Sequence, residues 1–378
     1  MATSRKSLAE QIACDLLESK SFRLVSCKVL QSLWAGYGHI CRIEAVPASS
    51  ASDVAPTSLI LKHIEPPVIK PNGRLVDEGH IRKILSYQVE QFFYTKLAPQ
   101  LPKQIAVAAC IASVSSDSHG FSTATLLSDL CETFPIAGEK RVELSERQVY
   151  AALDWLAGFH GFWWTRVKQF DRAALCPPPM EYVKANGIAA LRTEGVWLNG
   201  GYTYLATRMT EYSSLKEDAS SEWSSALCSG APSVAELASI EISPQNAANV
   251  DYITLIHGDV KSENLFSTAD GSSVAFYDFQ YVGLGLGVSD LAKLFTCSVP
   301  AKLLPADKGL GAQEEVFLRY YHDKLELASG RTYPWDTFIR HWEFALLDWL
   351  RFQASWGFWG NTDWLEERGR GILQMNGW

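Results

Sequence analysis

Ile256-His257-Gly258-Asp259-Val260-Lys261-Ser262-Glu263-Asn264, followed by the apolar run 274–277 and then Asp278-Phe279-Gln280, is the stretch on which the reading of this chain turns. A tight loop carries a carboxylate at 259 and an amide at 264, and the next strand delivers a second carboxylate at 278. Asp259 and Asn264, five apart on one loop, can point into the same space, and Asp278 returns the chain to the same edge. Such a set suits phosphoryl transfer, which asks a protein for positioning and charge neutralisation rather than covalent chemistry. One carboxylate orients the acceptor hydroxyl and takes its proton; the other, with an amide oxygen, offers the hard ligands that Mg2+ prefers. A hydrated loop before an ordinary turn would explain His-Gly-Asp alone, but not the whole constellation.

Periodicity supplies the frame around this loop. Residues 22–33, 40–46, 58–64, 105–111 and 122–127 read as strands, the first two joined through Gly36-Tyr37-Gly38-His39 as a hairpin. Residues 48–56 form a small-residue loop, and 66–77, with three prolines and Asn72-Gly73, cannot be regular. From His80 apolar residues recur at three- and four-residue intervals, predicting a helix to Leu97 that Pro99 ends. Helices then dominate, most clearly over 149–164, 201–212 and 338–356, while 213–244 reads as loosely packed helices and loops. The expectation is an α+β fold of two lobes: an N-terminal helical segment (1–21), a small N-lobe of five strands and one helix (22–128), and a larger, mostly helical C-lobe (129–378).

The Asp-x-Lys-x-x-Asn and Asp-Phe-Gln segments, in this order and on these elements, resemble the aminoglycoside phosphotransferase/choline kinase superfamily and, more distantly, the protein kinases. The resemblance implies a two-lobed protein-kinase-like fold with ATP and Mg2+ in the cleft. It makes Asp259 the catalytic base, Lys261 a stabiliser of the transferring phosphoryl group, and Asn264 and Asp278 the metal ligands. It places Lys62, on the third strand, at the α/β-phosphates, with Glu90 of the following helix as its ion-pair partner. Gly36 and Gly38 would lie over the phosphates, where absent side chains let backbone N–H groups approach. His39 departs from the family's usual small polar residue there. The crossing at Ser128, Asp129 and Leu130 resembles the segment whose backbone meets the adenine edge. Gly285 to Ala292 matches the family's glycine-then-Asp-Leu-Ala segment, which makes Asp290 a brace of the catalytic loop; His257 is expected to be structural as well. A protein kinase is opposed by the missing Ala-Pro-Glu-type segment after Asp278-Phe279-Gln280. A silent nucleotide-binding scaffold is opposed by intact Lys62, Asp259, Asn264 and Asp278.

The acceptor is less legible. Residues 154–164 and 204–211 resemble helices of ecdysteroid kinase-like and choline kinase-like relatives. Trp342, Trp349 and Trp356 recur every seven residues and so share a helix face. With Asp348 beside Trp349, they could cradle an ammonium group, stack on a sterol-like or sugar-like acceptor, or simply be core. A small-molecule alcohol is the expected partner. With 34 Lys and Arg against 42 Asp and Glu, the net charge of −8 argues against nucleic acid. No apolar run is long enough to span a bilayer. Eight scattered cysteines without a Cys-x-x-Cys pair read as reduced, and a cytoplasmic setting is expected.

Overall fold

Strands of alternating polarity pair where their apolar faces can be covered. In the computed structural model, which describes residues 7–49, 54–67, 77–116, 121–187 and 191–378, five strands make one antiparallel sheet. They are β1 (Phe22–Ser32), β2 (Gly38–Pro47), β3 (Thr57–Ile64), β4 (Cys110–Ser116) and β5 (Ser122–Ser128), in the order β1-β2-β3-β5-β4. Most of the stretch read as irregular, residues 68–76, lies outside the described residues, as do 50–53 of the small-residue loop. Helix α1 (Leu8–Glu18) closes one sheet face, burying Ala13, Leu16 and Leu17 against Cys41, Ile43, Leu59 and Leu61. Each leucine so covered contributes about 2 kcal/mol. The helix of the N-terminal segment thus packs on the N-lobe sheet. Alternation along β3 then sends Lys62 to the opposite face from Leu61, toward α2 (Glu78–Phe92).

Two expected elements shift. The strand predicted over 105–111 forms instead as β4, beginning at Cys110. The apolar residues before it serve the C-lobe: Ile105 and Ala108 are buried in its core, and the Ala106 carbonyl accepts from the Trp155 indole at 2.8 Å. Likewise the helix predicted over 201–212 starts only at Met209. Gly201 has φ +85°, and the Tyr202 carbonyl accepts from Thr207 and Arg208 side chains, so this segment is a folded loop. The predicted helix from His80 runs through α2 and a wide turn, Phe93–Leu97, to the region of Pro99.

The larger lobe opens with α3 (Glu146–Trp164), its first turn closed by reciprocal bonds between Ser145 and Gln148. The stretch read as loose, 213–244, is tighter than expected. Helices α4 (Pro179–Asn186), α5 (Met209–Glu217), α6 (Glu222–Cys228) and α7 (Val234–Glu241) are short, which hides their period, yet Trp223, Leu227, Ala235 and Ala238 are buried. Short strand pairs carry the motif segments. After β6 (Ile136–Ala137) come β7 (Thr254–Ile256), β8 (Leu265–Ser267), β9 (Val274–Phe276) and β10 (Gly283–Gly285). Helices α8 (Val288–Ser298), α9 (Ala312–Ser329), α10 (Trp335–Trp356) and α11 (Thr362–Met375) pack behind them. Among the described residues no helix is long and apolar enough to cross a membrane.

Glu314 of α9 is the polar centre of that packing. It accepts from the Trp342 and Trp364 indoles at 2.9 and 3.2 Å and from Arg368 Nε at 3.0 Å, all of them buried. Removing one partner strands a buried charge. Glu314→Ala is therefore expected to cost about 3–5 kcal/mol in urea unfolding, with Glu314→Leu/Arg368→Leu less harmful. A single-variant loss below about 1 kcal/mol would contradict this packing account.

Candidate active site

Strand β7 feeds the loop 257–264, and one buried carboxylate shapes it. Asp290, in the first turn of α8, accepts the backbone N–H groups of His257 at 2.7 Å and Gly258 at 2.9 Å. Its Oδ2 also accepts from His160 Nε2 of α3 at 3.2 Å, and His160 Nδ1 in turn accepts from the Tyr321 hydroxyl of α9 at 2.7 Å. Burial works to raise the Asp290 carboxyl, but the His160 bond and surrounding positive groups hold it below the usual carboxylate range. His257 donates from Nε2 to the Tyr277 carbonyl at 2.9 Å, which leaves Nδ1 to accept the Asp259 N–H at 3.3 Å. Burial pushes this imidazole down, so it stays neutral and structural.

The same bonds bring the expected residues together. Asn264 donates from Nδ2 to the Asp259 carbonyl at 2.8 Å and carboxylate at 3.0 Å. Its own carbonyl accepts from Tyr277 N–H at 3.0 Å, so Asp278 lies one residue beyond the joint. Asp278 holds a left-handed backbone, φ 64° and ψ 59°, the kind of local strain that clusters at functional sites. Lys261 lies between Asp259 Oδ2 at 3.2 Å and Glu263 Oε1 at 2.8 Å. Lys62 meets Glu90 at 2.6 Å and Asp278 at 3.5 Å. Burial acts to lower its ammonium, but these two carboxylates hold it above the usual lysine range. Phe279 locks the arrangement from behind, stacked on Phe93 at 3.8 Å between ring centroids.

The donor set suits a hard divalent ion. Asn264 spends its amide N–H on Asp259, while its amide oxygen takes no bond among the described residues. The Asp278 carboxylate, about a third exposed, is met by Lys62 at 3.5 Å. One carboxylate and one amide oxygen, completed by phosphate oxygens, is a donor set of the kind Mg2+ takes.

Other expected residues have structural tasks. A Cβ on Gly38 would stand 2.0 Å from the His63 carbonyl, so this glycine is demanded by the β2–β3 approach; Gly36 faces open space. Between them Tyr37 turns inward and bonds His80. At the crossing, Ser128 exchanges bonds with Ala109, and the Asp129 carboxylate accepts from Ser58 at 2.6 Å and Arg42 at 3.1 Å. These two side chains are thus spent inside the fold. Leu130 begins the short turn that follows.

A cavity of about 310 Å³ opens at Asp259 and Lys261, walled by Tyr202, Trp349, Trp356 and Trp359. The tryptophan stripe therefore divides along α10: Trp342 is core, whereas Trp349 and Trp356 line this space. Asp348 lies elsewhere, lining a neighbouring cavity of about 240 Å³ and bonded to Arg351 at 2.6 Å. Sequence reasoning missed Tyr202, Lys140, Arg141 and Lys293, which also line the Asp259 cavity. Lys293 alone had a usable signal, standing one helical turn beyond Asp290.

The fold is of the two-lobed, protein-kinase-like class. A sequence model of the ecdysteroid kinase-like family matches residues 39–330, and the chain belongs to that family. Among curated proteins none matches the sequence. Among solved structures it is similar to choline kinase LicA from Streptococcus pneumoniae, at 12% identity and TM-score 0.41, covering 98% of this chain and 100% of that one. It is also similar to amicoumacin kinase hAmiN, solved with AMP-PNP, Ca2+ and Ami, at 11% identity and TM-score 0.46, covering 97% and 93%. An ethanolamine kinase from Plasmodium vivax gives 14% identity and TM-score 0.40, covering 95% and 82%.

The Asp290 brace can be tested directly. Asp290→Asn puts an amide where two backbone N–H groups and an imidazole N–H converge, and is expected to cost about 2–3 kcal/mol in urea unfolding. An unchanged urea midpoint would mean that the loop is held by other contacts.

Proposed function

We propose that this protein transfers the γ-phosphoryl group of ATP to a hydroxyl of a small molecule. The observation that carries the reading is the convergence of Asp259, Asn264, Asp278 and the Lys62–Glu90 pair on one edge beside an aromatic cavity. Asp259 orients the acceptor hydroxyl and takes its proton. Lys62, held by Glu90, meets the α/β-phosphates, and Lys261 lies where it can neutralise charge on the group in flight. Asn264 and Asp278 would hold Mg2+, which bridges phosphate oxygens and offsets their charge when bound. Gly36 and the backbone of the 128–130 crossing serve the phosphates and the adenine edge. The aromatic walls of Tyr202, Trp349, Trp356 and Trp359 receive the acceptor body. A cytoplasmic setting belongs to the same reading.

The test is acceptor-dependent ADP release over a panel of choline, ethanolamine, an aminoglycoside, an aromatic hydroxy acid and neutral sterol and sugar alcohols. Asp259→Asn should lower turnover about 10³-fold while leaving nucleotide binding intact. ATP binding without transfer to any alcohol, in wild type as in Asp259→Asn, would favour a silent scaffold instead. Separately, Glu90→Gln should raise the KM for ATP by about tenfold, the worth of one charge-assisted contact. An unchanged KM would remove Lys62 from the nucleotide site.

A further inference from the structure

The wall between the two cavities is built of groups that have hydrogen bonds to give. Trp349, Lys293 and Thr203 line both spaces. Trp349 is 5% exposed, and its indole N–H has no partner among the described residues. Lys293 is 6% exposed, and its ammonium, with three donors, gives one hydrogen bond among the described residues, to the Gly258 carbonyl at 2.5 Å. The two are held as a unit, the ammonium 5.8 Å from the Trp349 ring centroid. Room for that ammonium is left by Gly201, where a Cβ would stand 2.9 Å from Nζ. Buried donors are ordinarily satisfied, so a pair left short beside the reacting carboxylate points to a ligand that accepts.

Charge says which kind. Around the Asp259 cavity stand Lys140, Arg141, Lys261 and Lys293 against the carboxylates of Asp259 and Glu263, and Lys261 already bonds both. Lys140 and Arg141 are exposed and form no ion pair among the described residues. The carboxylate that could have met an ammonium group, Asp348, is taken by Arg351. We infer that the acceptor carries, besides its reacting hydroxyl, an anionic group received by Lys293 and the Trp349 indole N–H, with Lys140 and Arg141 drawing it in. The acceptor is thus a hydroxylated organic acid with an aromatic or apolar body. This rests on the phosphotransferase reading only for where the hydroxyl lies; the anion site stands on its own residues.

Three matched probes test it: 4-(hydroxymethyl)benzoate, neutral 1,4-benzenedimethanol and cationic 4-(aminomethyl)benzyl alcohol. Their affinities are read from tryptophan fluorescence of the full chain with AMP-PNP and Mg2+ present. The acid should bind at least about tenfold more tightly than the diol, with the amine weakest. Lys293→Met should bring the acid-to-diol ratio close to one. Because a buried lysine can matter for folding, the surface variant Lys140→Gln/Arg141→Asn serves as a second arm and should lower the same ratio several-fold. A diol or amine that binds as well as the acid, an acid that does not bind measurably, or a ratio unmoved in both variants overturns the inference. Asp259→Asn separates the two proposals: acid binding that persists while no phosphoryl transfer occurs even in wild type would sink the kinase reading and leave the anion site standing.

Discussion

A single ionised carboxylate in the interior organises this molecule. Asp290 sits where α3, α8 and α9 meet the loop 257–264, and it accepts from the loop's own backbone at two consecutive residues. Ionising a buried acid is costly unless the charge is fully bonded. Here the return is geometric: with the N–H groups of His257 and Gly258 held, Asp259 can leave the loop in only one direction. The relay through His160 to Tyr321 ties that direction to two long helices. Precision at the loop is thus borrowed from the core.

A second joint links Lys62 and the sheet to the first. Alternation along β3 aims Lys62 at α2, and Glu90 is reached because α2 buries its apolar face in the larger lobe. Phe279, stacked on Phe93, continues that contact to the Asp278 edge. The oxygen donors and the lysine are therefore set against each other through side chains from three elements far apart in the chain, none of which could hold the geometry alone.

The motifs were legible because their spacing is local: Asp259 to Asn264 spans one loop, and Asp278 ends the next strand, so order and period sufficed to predict their meeting. The hairpin, β3 and the long helices were legible for the same reason, since each shows several cycles of its period. What failed was apolar sequence with another destination. Residues 105–109 look like strand but anchor the crossing to Trp155, and 201–208 look helical but fold around the Tyr202 carbonyl. Short helices between 209 and 241 offer barely two turns, too few for a period to emerge. The cavity beside Asp259 was least legible, because Lys140 and Arg141, Tyr202 and Trp359 come from three widely separated segments. Asp348, adjacent to Trp349 in sequence, is turned by the helix into the neighbouring cavity and an ion pair of its own.

The attachment of α2 has a mechanical outcome. By chain order this helix belongs with the sheet, but Ile81, Leu85, Val89 and Phe93 are embedded in the larger core, while α1 and the sheet share a separate one. The seam between the sheet and α2 is bridged by side chains: Lys62 meets Glu90, Gln91 bonds Ser113, Val114 and Ser115, and Leu127 of β5 reaches the larger core. Parting the sheet from α2 stretches the link from Lys62 to Glu90 together with the Gln91 bonds, so the alignment of Lys62 reports on how far the two have moved apart.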